Sequence, residues 1–285
     1  MPRLYLLCTL LLALAPLAVQ AQEKRSASAG SYLKRADARY AKGDIKGAIA
    51  DYDIAITFDP GFATAYNNRA LAREKDGDLN GAIADYDRVI ELNPRLSEGY
   101  ANRARLLLAL RDYDGARADC DSAIRLKPRF AQVYNTRGSA RFETGDLSGA
   151  NLDYTTAIAI DPHLAESYSN RGAVRRALGD LNGAIEDYDR SILISPQSPN
   201  TYNNRGNARR EKGKWELAIA DFDRAIALEP RLAIAYASRG LIRLLQGKTI
   251  DAERDFAACI ALDPRLRKFI QERSAEVARE LAQHH

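Results

Sequence analysis

A chain of 285 residues with 46% apolar and 28% charged content suits a folded, soluble protein rather than a disordered one. The formal charge of +4 is small for that length. It argues against a protein built mainly to coat nucleic acid, where a concentrated basic face is expected.

The first residues, MPRLYLLCTLLLALAPLAVQAQ, combine Arg3, an apolar run from Leu4 to Val19, and the small residues Val19 and Ala21. That pattern predicts a secretory signal peptide over 1–21, cleaved after Ala21, with export across an inner membrane to a bacterial periplasm. An uncleaved anchor is the alternative, although a run of 16 residues is short for a bilayer. Cys8 lies inside the run, too early for lipid attachment at a cleavage site. No other segment is apolar enough to span. Residues 22–28 are read as a short linker. Only Cys120 and Cys259 remain in the exported chain. About four repeats separate them, too far for a disulfide at roughly 10 Å per helix layer, so both are expected to be buried small hydrophobes.

From residue 29 the chain repeats itself. SYLKRA (31–36), AYNNRA (65–70), GYANRA (99–104), VYNTRG (133–138), SYSNRG (167–172), TYNNRG (201–206) and AYASRG (235–240) recur every 34 residues. Pro60, Pro94, Pro128, Pro162, Pro196, Pro230 and Pro264 keep the same spacing. Setting this proline at position 32 gives repeats 29–62, 63–96, 97–130, 131–164, 165–198, 199–232 and 233–266. All seven carry Tyr at position 4, Arg at 7, Ala at 20, Asp at 23 and Ile at 28.

Each repeat reads as two helices. In GDLNGAIADYDRVIELNP (77–94), Gly77 suits the left-handed turn that ends the first helix and Asp78 caps the second. Pro94 stops that second helix. Positions 4, 7, 8 and 11 share a face of the first helix, and positions 20, 24, 27 and 28 share a face of the second. Tyr66 and Ala70 are thus expected to face Ala82, Tyr86, Val89 and Ile90. The third repeat departs most, with Arg111 at the turn glycine and Cys120 at the position-24 aromatic.

A 34-residue helix–turn–helix with aromatics at 4 and 24, Gly or Ala at 8, Ala at 20 and Pro at 32 resembles the tetratricopeptide repeat. Arg at positions 7 and 11 departs from that family's usual Leu and Tyr. The resemblance implies an all-α, right-handed superhelical solenoid of seven helix-turn-helix repeats over 29–266, with the first helices lining its concave side. Stacked repeats need polar ends. Residues 267–285 supply a candidate capping helix and tail, with Leu266, Ile270, Val277 and Leu281 as an apolar stripe; a partner-binding amphipathic helix is the other reading.

Position 6 carries Asn68, Asn102, Asn170 and Asn204, position 5 carries Asn67, Asn135 and Asn203, and position 9 adds Asn207. Asparagine is a mediocre helix former, so its recurrence mid-helix calls for an offsetting role. A side-chain amide both donates and accepts, and a row of them could hold the backbone of an extended polypeptide. Asn68, Asn102, Asn170 and Asn204 are similar in placement to the asparagine ladder in the repeat region of O-linked N-acetylglucosamine transferases. Lys34, Thr136 and Ser238 break the row, and merely solvated polar positions are the alternative. Over positions 2, 5, 6, 9, 12 and 13, five basic residues stand against six acidic ones, so the expected ligand is a protein segment of no strong charge.

Arg at 7 and Asp at 23 predict ion pairs within each repeat: Arg69–Asp85, Arg103–Asp119, Arg137–Asp153, Arg171–Asp187 and Arg205–Asp221 among them. An arginine row for acidic ligands is the alternative. The only histidines are His163, His284 and His285, and no metal-spaced cluster, GxSxG or phosphate-cradling loop occurs. The reading is therefore an exported, non-enzymatic scaffold without cofactor or metal. Its partners are expected to be protein segments, not nucleic acid. A self-assembling or envelope-tethered structural protein, using repeat ends or the C-terminal helix, is the alternative.

Overall fold

A computed structural model of the chain describes residues 26–283. The predicted signal peptide over 1–21 lies outside the described residues. The described part of the expected linker, 26–28, is already helical, since no glycine or proline interrupts the chain before Gly30.

Among the described residues there are fifteen α-helices and no strand. They are α1 (26–41), α2 (Ile45–Phe58), α3 (Ala63–Asp76), α4 (Leu79–Leu92), α5 (Ser97–Ala109), α6 (Tyr113–Leu126), α7 (Ala131–Glu143), α8 (Leu147–Ile160), α9 (Ala165–Ala177), α10 (Leu181–Ile194), α11 (Pro199–Glu211), α12 (Trp215–Leu228), α13 (Ala233–Leu245), α14 (Thr249–Leu262) and α15 (Arg267–Gln283). A 3-10 turn, Pro264–Leu266, precedes α15. The chain divides into two compact units, Met1–Pro128 and Arg129–His285. Within each, helices pack against their sequence neighbours, first helix on second helix and then on the next pair.

The punctuation is local chemistry. Asp44, Asp78, Asp112, Asp146 and Asp180 each accept from the backbone N–H three residues on, at 2.9–3.0 Å. That N–H belongs to glycine every time, and a Cβ on Gly81 would collide with the Asp78 carboxylate. Lys214 and Lys248 replace the capping Asp in the last two repeats and make no side-chain cap. Glycine takes the left-handed turn between helices in six repeats, as at Gly77 with φ 89°. In the third, Arg111 holds φ 64°. A side chain there costs about 1 kcal/mol or more. Arg111→Gly is therefore expected to stabilise the Met1–Pro128 unit by up to ~1 kcal/mol, part of the gain being lost to glycine's unfolded-state entropy; thermal melting followed by circular dichroism reads this directly.

The largest buried side chains are the position-24 aromatics Tyr52, Tyr86, Tyr154, Tyr188 and Phe222. Each sits between the alanine at position 20 and position 10 of the following repeat, as Tyr154 does between Ala150 and Val174. The position-4 tyrosines join the core only in part: Tyr168 is buried and Tyr236 packs against the Ala237–Cys259 cluster. Tyr66, Tyr134 and Tyr202 are only half-buried, each under the guanidinium of its own repeat's position-7 arginine at 5.3–5.4 Å. At the C-terminal end, α15 packs on α13. Ile270 joins Ala237 and Cys259 in a buried cluster against which Leu266 rests, and Val277 is buried. The Leu281 side chain of the expected stripe lies outside the described residues. Cys120 and Cys259 are both buried and are not joined in a disulfide.

Candidate functional site

The first helices are fixed by a lattice of charge. Arg69 donates through Nε and Nη2 to the two oxygens of Asp85, at 2.9 and 2.5 Å. The same two-pronged contact joins Arg103 to Asp119, Arg137 to Asp153, Arg171 to Asp187 and Arg205 to Asp221. Arg35–Asp51 and Arg239–Asp255 extend the series. The aspartates are buried, and the Arg35 guanidinium holds the Asp51 carboxyl below its ordinary range.

Two further strands of this lattice were missed from the sequence. Arg at position 11, flagged only as a departure, is a second donor to the same carboxylate, as in Arg73–Asp85 at 2.9 Å and Arg209–Asp221 at 2.8 Å. The third repeat has Leu107 there, so Asp119 pairs with Arg103 and has no second arginine from position 11. The position-7 arginine also reaches backward to position 25 of the preceding repeat: Arg69–Asp53, Arg103–Asp87, Arg205–Asp189 and Arg239–Asp223, each at 2.5 Å. One residue type thus closes its own repeat and joins it to its neighbour.

The asparagines divide into two groups. Those at position 5 are joints between repeats. Asn135 is 6% exposed, and its Oδ1 accepts from Ser167 Oγ at 2.9 Å and Asn170 Nδ2 at 3.2 Å. Asn102 Nδ2 donates to Asn67 Oδ1 at 2.9 Å in the same way. Asn203 is 7% exposed. Asn135 and Asn203 therefore do not line an open groove. The physical reason is that position 5 turns toward positions 3 and 6 of the next first helix, where a repeat-length offset closes the gap.

Asn203 also lacks a partner for its Oδ1. The next repeat presents Ala235 where the fifth presents Ser167, and Ala235 is fully buried. Ala235→Ser is expected to supply the missing donor and raise stability by about 1 kcal/mol. A lower melting temperature would show that the hydroxyl cannot reach.

The position-6 amides remain half-exposed. Asn68 accepts from Asn67 at 3.2 Å and donates to Asp37 at 3.0 Å, so in the first unit Asp37, Asn68, Asn67 and Asn102 form one hydrogen-bonded chain. In the second unit Asn170 spends one donor on Asn135. Asn204 takes no partner among the described residues. Asn207 is half-buried one turn further on.

Asn170 and Asn204 meet at a cavity of about 300 Å³ between α9, α10 and α11. Ser169 and Thr201 add hydroxyls to its lining, as do Ser191 of α10 and Ser195 at that helix's C-cap, and Glu166 is the one charged residue in the lining. Nothing in a search for constant positions would reveal it. The signal is a difference: at position 27 six repeats carry Ala, Val or Cys, and only the fifth carries a hydroxyl, Ser191, 2% exposed.

Sequence profiles described as TPR repeat and tetratricopeptide repeat match residues 36–77, 172–209 and 206–247, residues 63–96, and residues 85–118. No curated protein matches the chain. Among solved structures, a tetratricopeptide repeat protein from Parabacteroides merdae aligns at 18% identity and TM-score 0.69, over 87% of this chain and 99% of that one. A chain of the APC/C hetero-tetramer Cut9-Hcn1 aligns at 20% identity and TM-score 0.69, over 74% of this chain but only 42% of its own length. YrrB, described as a TPR protein with an unusual peptide-binding site, aligns at 20% identity and TM-score 0.50, over 65% of this chain and 95% of that one. At these identities the likeness is one of fold.

Proposed function

We propose, from the premise that this chain belongs to the tetratricopeptide repeat family, that it is a non-enzymatic protein-interaction scaffold that holds an extended polypeptide segment. The observation that carries this reading is the α9–α11 cavity, where the amides of Asn170 and Asn204 face a space ringed by hydroxyls. Such a surface offers donors and acceptors together with little charge, which suits peptide backbone better than any particular side chain. A peptide-binding site on a solved protein of the same fold is consistent with it. Asn68 and Asn102 offer the same chemistry in the first compact unit. The carboxylates that could have served catalysis are instead bound to guanidinium in repeat after repeat.

The two amides make different predictions. Asn204→Ala removes no hydrogen bond within the protein, so it is expected to weaken capture of uncharged twelve-residue peptides on an array at least fivefold and to leave melting unchanged. Asn170→Ala breaks its bond to Asn135 and is expected to weaken capture while also costing about 1 kcal/mol of stability. If the quadruple Asn68, Asn102, Asn170 and Asn204 to Ala variant captures peptides as the parent does, the groove plays no part.

Export belongs to the same proposal, on the strength of the N-terminal sequence. Intact-mass measurement of the protein from a periplasmic fraction should give a chain beginning at Gln22. Among the described residues no helix is long and apolar enough to cross a membrane.

A further inference from the structure

A second cavity, of about 200 Å³, lies where α15 closes over α11, α12 and α13. Trp215, Leu241, Leu245 and Val277 give it apolar walls, and Arg210 enters it from α11. The neighbouring charges are matched to each other: Arg176 to Glu211 and Arg273 to Glu276, both at 2.7 Å. The Arg210 side chain makes no hydrogen bond or ion pair among the described residues. Burial lowers its pKa, Glu211 partly opposes this, and the nearby Arg273 and Arg176 lower it further. The Arg210 side chain is half-exposed at the cavity, and its guanidinium fork, with no acceptor among the described residues, is free to meet an anion that enters.

We propose that this cavity binds a small carboxylate carrying an apolar group, its two oxygens accepting from Arg210 and its apolar part resting against Trp215 and the two leucines. Charge selects the ligand class. A cation would be repelled, whereas Glu211 and Glu276 at the rim disfavour a dianion such as a phosphate monoester. A planar monoanion fits one free guanidinium fork. The apolar walls match a branched aliphatic or aromatic group of a few carbons. The site gives α15 a task besides covering the last repeat, because Val277 and the Arg273–Glu276 pair form one wall. It is separate from the α9–α11 cavity, and neither reading depends on the other.

Trp215 is the chain's single tryptophan, so its emission reports occupancy directly. Titration of the full chain with isocaproate is expected to give a saturable change that isocaproamide does not produce. Arg210→Gln should raise the apparent Kd at least tenfold, with Arg210→Lys retaining part of the affinity. Leu245→Phe, which narrows the cavity without touching the guanidinium, should weaken binding while leaving the helix content unchanged. It keeps the test decisive if Arg210→Gln fails to fold. Gly-Gly-Leu with a free or an amidated C-terminus distinguishes the source. Tighter saturation by the free tripeptide assigns the site to a chain end, and tighter saturation by isocaproate assigns it to a free acid. No saturable response to either acid overturns the proposal, as does an equal response to the amides or unchanged binding by a folded Arg210→Gln protein.

Discussion

Asp85→Ala is expected to cost the Met1–Pro128 unit about 3 kcal/mol, and Asp119→Ala in the same unit clearly less. Asp85 is 2% exposed and accepts from both Arg69 and Arg73, so removing it strands two guanidinium groups at once. Breaking a buried pair by deleting one partner costs ~3–5 kcal/mol. The lower end applies here because Arg69 keeps Asp53 at 2.5 Å and Arg73 keeps the Gly81 carbonyl at 3.1 Å. Asp119 faces Arg103 with Leu107 where the second arginine would stand, and Arg103 keeps Asp87. Its loss uncovers one charge rather than two. Urea titration of the two variants, with the same helical signal in each, separates them. Equal losses would mean that the position-11 arginines contribute nothing to the frame.

That lattice marks the boundary of what the sequence made legible. Helix starts and stops were readable because their signals act within three or four residues: an Asp cap, a glycine at positive φ, a proline that cannot continue. The pairing partners of Arg69 within its repeat were readable too, since both positions recur in every copy. Arg73 was not. A helical wheel gives the direction of Cβ, and arginine's long side chain carries its charge well away from that point. The backward contact from Arg69 to Asp53, and the bond from Asn102 to Asn67, need the offset between successive repeats, which no single repeat encodes.

The candidate site was legible in the same uneven way. Residue type placed the amides on a polar face, but a face does not show which amide touches the next helix and which meets solvent. Asn135 and Asn203 turned inward because positions 3 and 6 of the following helix approach them, with Ser167 meeting one and Ala235 leaving the other short of a partner. Repetition favours attention to what stays constant. The two cavities arise from exceptions: Ser191 in an apolar column, and Arg210 beside two arginines already matched to glutamates.

Helicity of the Arg129–His285 unit is expected to collapse between about pH 10 and 12, with Tyr154 and Tyr188 as the cause. Burial raises both phenols to about 12, while the Ser139 hydrogen bond partly opposes the rise at Tyr154 and Arg176 partly opposes it at Tyr188. An unfolded tyrosine ionises near 10. Below that pH both rings are neutral in either state, and the stability they provide is intact. Above it the unfolded chain releases protons that the folded chain retains, so stability falls as pH rises toward the folded value. Each ring contributes a slope of about 1.4 kcal/mol per pH unit, and two together remove ~5 kcal/mol over the window, comparable to the whole stability of many domains. Phe222 occupies the equivalent place in the next repeat, so the ring without its hydroxyl fits this packing. Tyr188→Phe gives up no hydrogen bond, since the hydroxyl has no partner among the described residues, and is expected to be neutral or stabilising by up to ~1 kcal/mol at pH 7. Tyr154→Phe loses the 3.1 Å contact with Ser139 and costs about that much. The double variant should retain its helical signal about one pH unit further into alkali. Circular dichroism with phenolate absorbance, recorded on the same samples, ties the loss of structure to tyrosine ionisation. An unshifted midpoint in the double variant would assign alkaline unfolding to other groups.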